Sequence, residues 1–215
     1  MTVTAAGDEM ALIHKIFRRA FPMTAELVRN APEGDTARAE TIAAHIDFQL
    51  TGLHHHHTGE DVHVWPRLLE RAAPKAELVE RMEAQHAAVA LRTAVVRELL
   101  DAWRRTGTGG EALAAALDEF TAALVEHLDE EEARVVPLIR AHITVPEWEL
   151  LGQETFGKFT NQEKLIATGE LEASVTPEEA AAFLGALPAP VRLMWRFVGR
   201  RRYRAYMAGV EGRGL

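Results

Sequence analysis

A chain of 215 residues, 47% of them hydrophobic, can bury one ordinary core with an extension, and its formal net charge of −8 excludes a general nucleic-acid binder. Cysteine is absent, so disulfides, thiolate nucleophiles and thiolate metal ligands are excluded, and any metal must be held by imidazole and carboxylate. Met1 to Met10 has no apolar core of the signal-peptide kind, and no run approaches the roughly 18 uncharged apolar residues of a membrane helix, so the expected location is the cytoplasm.

Ala, Leu, Glu and Arg dominate and strand-like alternation is absent, which predicts an all-α chain. A first helix is expected from about Asp8 to Asn30, with Pro22 as a kink or break. Pro32-Glu33-Gly34-Asp35 makes a turn, and Asp35 or Thr36 can cap a second helix running to near Trp65, where Pro66 interrupts it. A short helical piece, Arg67 to Ala72, follows. Pro74 suits the first turn of a third long helix reaching about Arg105. Thr106-Gly107-Thr108-Gly109-Gly110 is a loop without the Lys of a phosphate-binding loop, and a fourth helix runs from about Glu111 to His142. Four such helices joined by short turns make an up-down-up-down bundle over residues 1–143.

Residues 144–215 read differently, as shorter helices broken by Gly152, Gly157, Gly169, Pro177, Pro188 and Pro190. From Pro190 onward seven Arg and one Glu give +6, against −14 for the rest of the chain. Arg192, Arg196, Arg200, Arg201, Arg202 and Arg204 mingle there with Trp195, Phe197, Tyr203 and Tyr206. The reading is a helical extension that packs its aromatics on the bundle or on a second subunit of a homodimer, with its Arg paired to the acidic body. Docking on an anionic membrane, nucleic acid or acidic partner is the competing reading.

The bundle repeats itself in its polar residues. His56-His57-Thr58-Gly59-Glu60-Asp61 and His127-Leu128-Asp129-Glu130-Glu131-Glu132 both read His-x-x-x-Glu-acidic, each with a Pro ten residues after the His (Pro66, Pro137). Met10-x-x-x-His14 matches Met82-x-x-x-His86, and the steps from His14 to His56 and from His86 to His127 are 42 and 41 residues. Residues i and i+4 share a helix face, so His56 with Glu60, and His127 with Glu131, aim at one spot. His14 and His86 complete a set of four imidazoles and two carboxylates that suits a pair of metal ions, because a carboxylate can span two metals. A solvated surface has no reason to repeat such a pattern.

Ten His occur in the chain, five of them between His54 and His63. His57 with Asp61 has the same spacing as His56 with Glu60. The repeat selects His56, since His127 is alone in its segment and its distance to Pro137 equals that from His56 to Pro66. At about 100° per residue, His54, His55 and His57 then mostly face elsewhere, with one of them available as an outer partner of a ligand. His45, about three turns before His56 on the same face, reads as a core or surface residue, with the lining of an access path as the competing reading, and His63 and His142 read as surface.

On these residues the chain resembles the hemerythrin family, in particular the bacterial His-His-Glu cation-binding domains. The resemblance rests on His14, His56, Glu60, His86, His127 and Glu131, on Glu60-Asp61-x-x-x-Trp65-Pro66-x-Leu68, and on its echo Glu131-Glu132-x-x-x-Val136-Pro137-Leu138-Ile139. It covers about residues 8 to 143, and Leu187 to Tyr206 is similar to the C-terminal extension of actinobacterial members. It implies two iron ions with an oxo or hydroxo bridge, reacting with dioxygen, peroxide or nitric oxide, although zinc or manganese suits the same donors. One departure concerns Ala90, where oxygen-carrying hemerythrins have a second His one turn after the third-helix ligand. That leaves one iron short of a protein ligand and favours chemistry over storage; Glu83, one turn before His86, is a candidate substitute. The expected function is peroxidase, catalase-like or oxidase turnover, or oxygen binding. The alternative is an iron or oxygen sensor, or an iron-binding protein without turnover.

Overall fold

The computed structural model describes residues 6–72 and 76–213, and every regular element among them is helical. Four long helices form the bundle: α1 (Met10–Arg29), α2 (Thr36–His63), α4 (Ala76–Thr106) and α5 (Gly110–Glu130), with the short α3 (Trp65–Arg71) between α2 and α4. A π-helical turn, Glu131–Val135, continues α5 into α6 (Val136–His142). Each long helix packs on two others in the cyclic order α1, α2, α4, α5. Asp35 caps α2, its carboxylate accepting the Arg38 backbone N–H at 2.9 Å. Pro74 lies outside the described residues.

Pro22 does not break α1, which runs through it as one helix. Phe21 and Ala25 on either side are fully buried while Pro22 is exposed, so the missing hydrogen bond falls on the solvent side, where water can take the freed carbonyl. The second helix ends at His63, near Trp65 as expected, and Pro66 occupies the first turn of α3, where no N–H is needed. At one end of the bundle the two loops meet. The Gly34 N–H donates to the Gly107 carbonyl at 3.0 Å, and a Cβ on Gly107 (φ +65°) would stand 2.8 Å from the Gly34 backbone. Only glycine fits both the turn and that approach.

Two apolar clusters fill the bundle. The larger takes Phe21, Ile46, Leu100, Leu117 and Phe120 among others, and the second, toward α3 and α6, takes Met10, Trp65, Leu68, Met82 and Ile139. Along each long helix the residues joining the two clusters are the buried His and Glu of the repeat. The polar belt is thus sealed by close-packed side chains above and below.

The extension comprises α7 (Val145–Gly157), α8 (Asn161–Ser174), α9 (Pro177–Ala186), α10 (Ala189–Met194), a π-helical turn Trp195–Gly199, and α11 (Arg200–Glu211). Capping boxes Thr144/Glu147, Thr160/Glu163 and Thr176/Glu179 start its first three helices. It lies on α1 and α2: Arg19 donates to the buried Glu170 at 3.0 Å, Tyr203 donates to the same carboxylate at 3.0 Å, and His45 Nδ1 lies 2.8 Å from the Tyr206 hydroxyl. Trp195, Tyr203, Met207 and Val210 are buried, Tyr206 is half-buried, and Phe197 is exposed, so only part of the aromatic stripe turns inward. The Arg side chains behave otherwise. Arg200 pairs with Glu172 of the extension itself, and Arg192, Arg196, Arg201, Arg202 and Arg204 are exposed. Among the described residues no helix is long and apolar enough to cross a membrane.

Candidate metal centre

Four helices converge on the belt. α1 carries His14, α2 carries His56, His57 and Glu60, α4 carries His86, and α5 carries His127, with Glu131 opening the π-helical turn. The potential ligand atoms form two groups, each within 4.8 Å: His14, His56, Glu60 and Glu131 in one, and His57, His86 and His127 in the other. All six residues expected from the sequence are therefore drawn together, and a seventh, His57, joins them.

Glu60 joins the groups. Its Oε1 lies 3.3 Å from His56 Nε2 and its Oε2 lies 3.5 Å from His86 Nε2. Glu131 is likewise shared, its Oε2 standing 3.3 Å from His14 Nε2 and 3.7 Å from His127 Nε2. Nevertheless both oxygens of Glu60 and of Glu131, and Nε2 of His57, His86 and His127, are buried without a hydrogen-bond partner. Each such atom costs about 1–3 kcal/mol when left unpaired. Seven converging on one spot, all of them lone-pair donors or able to become so, is the donor set of a cation site.

The opposite edges of the imidazoles are held. Asp61 Oδ1 accepts from His86 Nδ1 at 2.9 Å and from Trp65 Nε1 at 3.0 Å. Glu132 Oε1 lies 2.8 Å from His14 Nδ1 and accepts from Arg18 at 3.2 Å. Gln85 Oε1 accepts from His127 Nδ1 at 3.0 Å, while its amide donates to Glu130 at 2.9 Å. The acidic residue that follows each repeat Glu therefore fixes a His on a neighbouring helix, Asp61 for His86 and Glu132 for His14. Such contacts set tautomer and ring orientation, leaving Nε2 to face inward.

Protonation follows the same geometry. Burial and the neighbouring imidazoles hold His56 and His57 well below the usual histidine range, and burial takes His127 down to about 4. Burial also disfavours a charged His14, but Glu131 and Glu132 outweigh it and raise that residue. Burial, then the charge of Glu131, push the Glu60 carboxyl well above its ordinary value. Glu131 is lowered to about 2, since contact with His14 overcomes its burial. Lowering of this kind favours neutral His56, His57 and His127, the form in which imidazole binds metal.

The π-helical turn has a physical reason here. His127, Glu131, Val135 and Ile139 are all buried at a strict spacing of four. In an unbroken α-helix every step of four drifts by about 40°. The wider turn at Glu131–Val135 absorbs that drift and keeps ligand and core residues on one face. In the other half of the repeat the break at Val64 between α2 and α3 serves that end.

His57 corrects the expectation that it faces away. Its ring stacks on His86 with centroids 4.0 Å apart and meets His127 edge-on at 5.1 Å. A signal for it was present: Ile46, Leu50, Leu53, His57, Glu60 and Val64 step by four and three along α2, and all are buried. His57 lies on that core stripe, whereas His56 flanks it. Ala90 is exposed on α4, so no gap opens in the core at that position, and Glu83 is exposed as well and belongs to neither ligand group. His45 is a core residue, and His63 pairs with Glu154 of α7 at 2.7 Å.

The model of the hemerythrin HHE cation-binding domain matches residues 6–139. The chain belongs to this family. The match spans the bundle and stops before the extension begins. No curated protein and no solved structure matches the chain. Membership and the His/Glu cluster together make the bundle a metal-binding hemerythrin-type fold.

Proposed function

We propose that the bundle holds two iron ions and reacts with dioxygen, peroxide or nitric oxide. The observation that carries this reading is the split of Glu60, one oxygen beside His56 and the other beside His86, so that a carboxylate grouped with His14 and His56 also reaches the second ligand group. An iron pair, when bound, supplies one- and two-electron chemistry toward such small oxidants. The chain's own contribution is to orient and to exclude. Asp61, Glu132 and Gln85 hold His86, His14 and His127 in the ligating tautomer. Trp65, Met82 and Leu128, all fully buried, seal the belt from bulk water. Glu60, raised in the metal-free protein, gives up its proton on loading. An iron-binding or sensing role without turnover is favoured by one feature only: ligands drawn from four helices tie loading to bundle stability.

Metal content and the visible spectrum of aerobically purified protein test this. Two irons per chain with oxo-bridged ferric absorption, bleached by reduction and restored by oxygen or peroxide, are expected. One zinc per chain and no colour after anaerobic iron reconstitution would overturn the redox reading. Two irons with no response to dioxygen, peroxide or nitric oxide would leave the binding role.

A further inference from the structure

The repeat pairs His56 with His127 and His14 with His86, but it pairs His57 with Leu128. One half of the belt therefore carries a buried imidazole where the other carries a hydrocarbon. His57 is 8% exposed, and its Nε2 has no hydrogen-bond partner. Its ring is nearly parallel to that of His86, at 14° and 4.0 Å between centroids, and His86 Nε2 is unpartnered too. Two stacked imidazoles with idle Nε2 atoms are not explained by hydrogen bonding, and a Leu as in the other half would fill the space without burying a polar atom. What the three rings of His57, His86 and His127 share is a set of nitrogens within 4.8 Å of one another.

We infer that His57 is a direct ligand, holding one metal ion together with His86 and His127, while His14 and His56 hold the other. This rests on the two-metal reading above. It places the third imidazole on α2 instead of on α4, where exposed Ala90 offers none. It also makes the two ions unequal, the His14–His56 half having fewer protein nitrogens and hence the more room for an exogenous ligand.

Zinc is the probe, titrated into metal-free full-length protein against a competing chelator. The wild type is expected to bind two ions. His57→Gln and His57→Leu, the second copying Leu128 and so preserving packing, should keep one affinity and weaken the other by at least about tenfold. His55→Gln, on the same helix, should change neither. If both His57 variants misfold, a structure of zinc-loaded wild type decides: a His57 nitrogen about 2.0–2.1 Å from an ion is expected. Two ions bound with wild-type affinity in both variants, or a loaded structure with His57 turned from both ions, would overturn the inference alone. Wild-type protein that takes up fewer than two ions of both zinc and iron would instead overturn the two-metal reading and this inference with it.

Discussion

The two halves of the belt share a motif and differ in how they satisfy it. In the α2 half the helix ends at His63 and restarts as α3, and His57 and His56 both face the belt. In the α5 half a π-helical turn carries the chain on without interruption, and Leu128 stands where His57 does. Yet Asp61 and Glu132, the acidic residues at equivalent positions, do the same task for His86 and His14. The lesson is that the repeat preserves donor geometry while leaving the backbone device and the number of donors free. Either device absorbs the phase drift of a four-residue spacing.

The largest test of this comparison removes what the halves share. Glu60→Gln keeps the side-chain volume but withdraws the charge that neutralises both groups, and at least one of two ions should be lost outright by elemental analysis. Retention of both ions would mean that the halves are independent sites. Next in size is a control outside both halves. Burial, then the charge of Arg19, lower His45 to about 4 from 6.5. Between these values the unfolded chain binds more protons than the folded one, so stability is complete above pH 6.5 and falls as pH drops toward 4. The full effect is about 3 kcal/mol at most. Denaturant melts of metal-free wild type and His45→Gln across that window should show a shallower pH dependence in the variant. The belt histidines His56, His57 and His127 add slope of the same sign to both proteins.

The finest test separates the halves. Asp61→Asn should weaken the ion held by His86, and Glu132→Gln the ion held by His14, each by about 10- to 100-fold with the other ion little changed. Zinc competition titrations read this directly. Equal weakening of both ions by either variant would show that the bridging carboxylates couple the halves too tightly for such a distinction.

Much of this was legible in the residue order. The four long helices followed from composition and from the turns at Pro32 to Asp35 and Thr106 to Gly110, and six of the seven clustered residues followed from the repeat. His57 escaped because two sequence signals conflict at that position. The repeat selects His56, while the stripe from Ile46 to Val64 selects His57, and the two adjacent residues each join a different ligand group. Of the kink or break expected at Pro22 the break does not occur, since whether a proline breaks a helix depends on which side of it is packed, and that is set by partners far along the chain.

The sequence by itself determined the helical class, the bundle, the absence of cysteine thiol chemistry and the His-x-x-x-Glu-acidic pairs, because these depend on local periodicity and on which donor atoms exist. Only the tertiary structure decided that Asp61 and Glu132 reach across to His86 and His14, that Glu60 divides its oxygens between two groups, and that the extension locks onto α1 and α2 through Glu170 and Tyr206. Apart from the Glu60–His56 contact within α2, those contacts join residues 25 to 161 positions apart. Their existence turns on how the helices rotate about their own axes when the core packs, which no local pattern encodes.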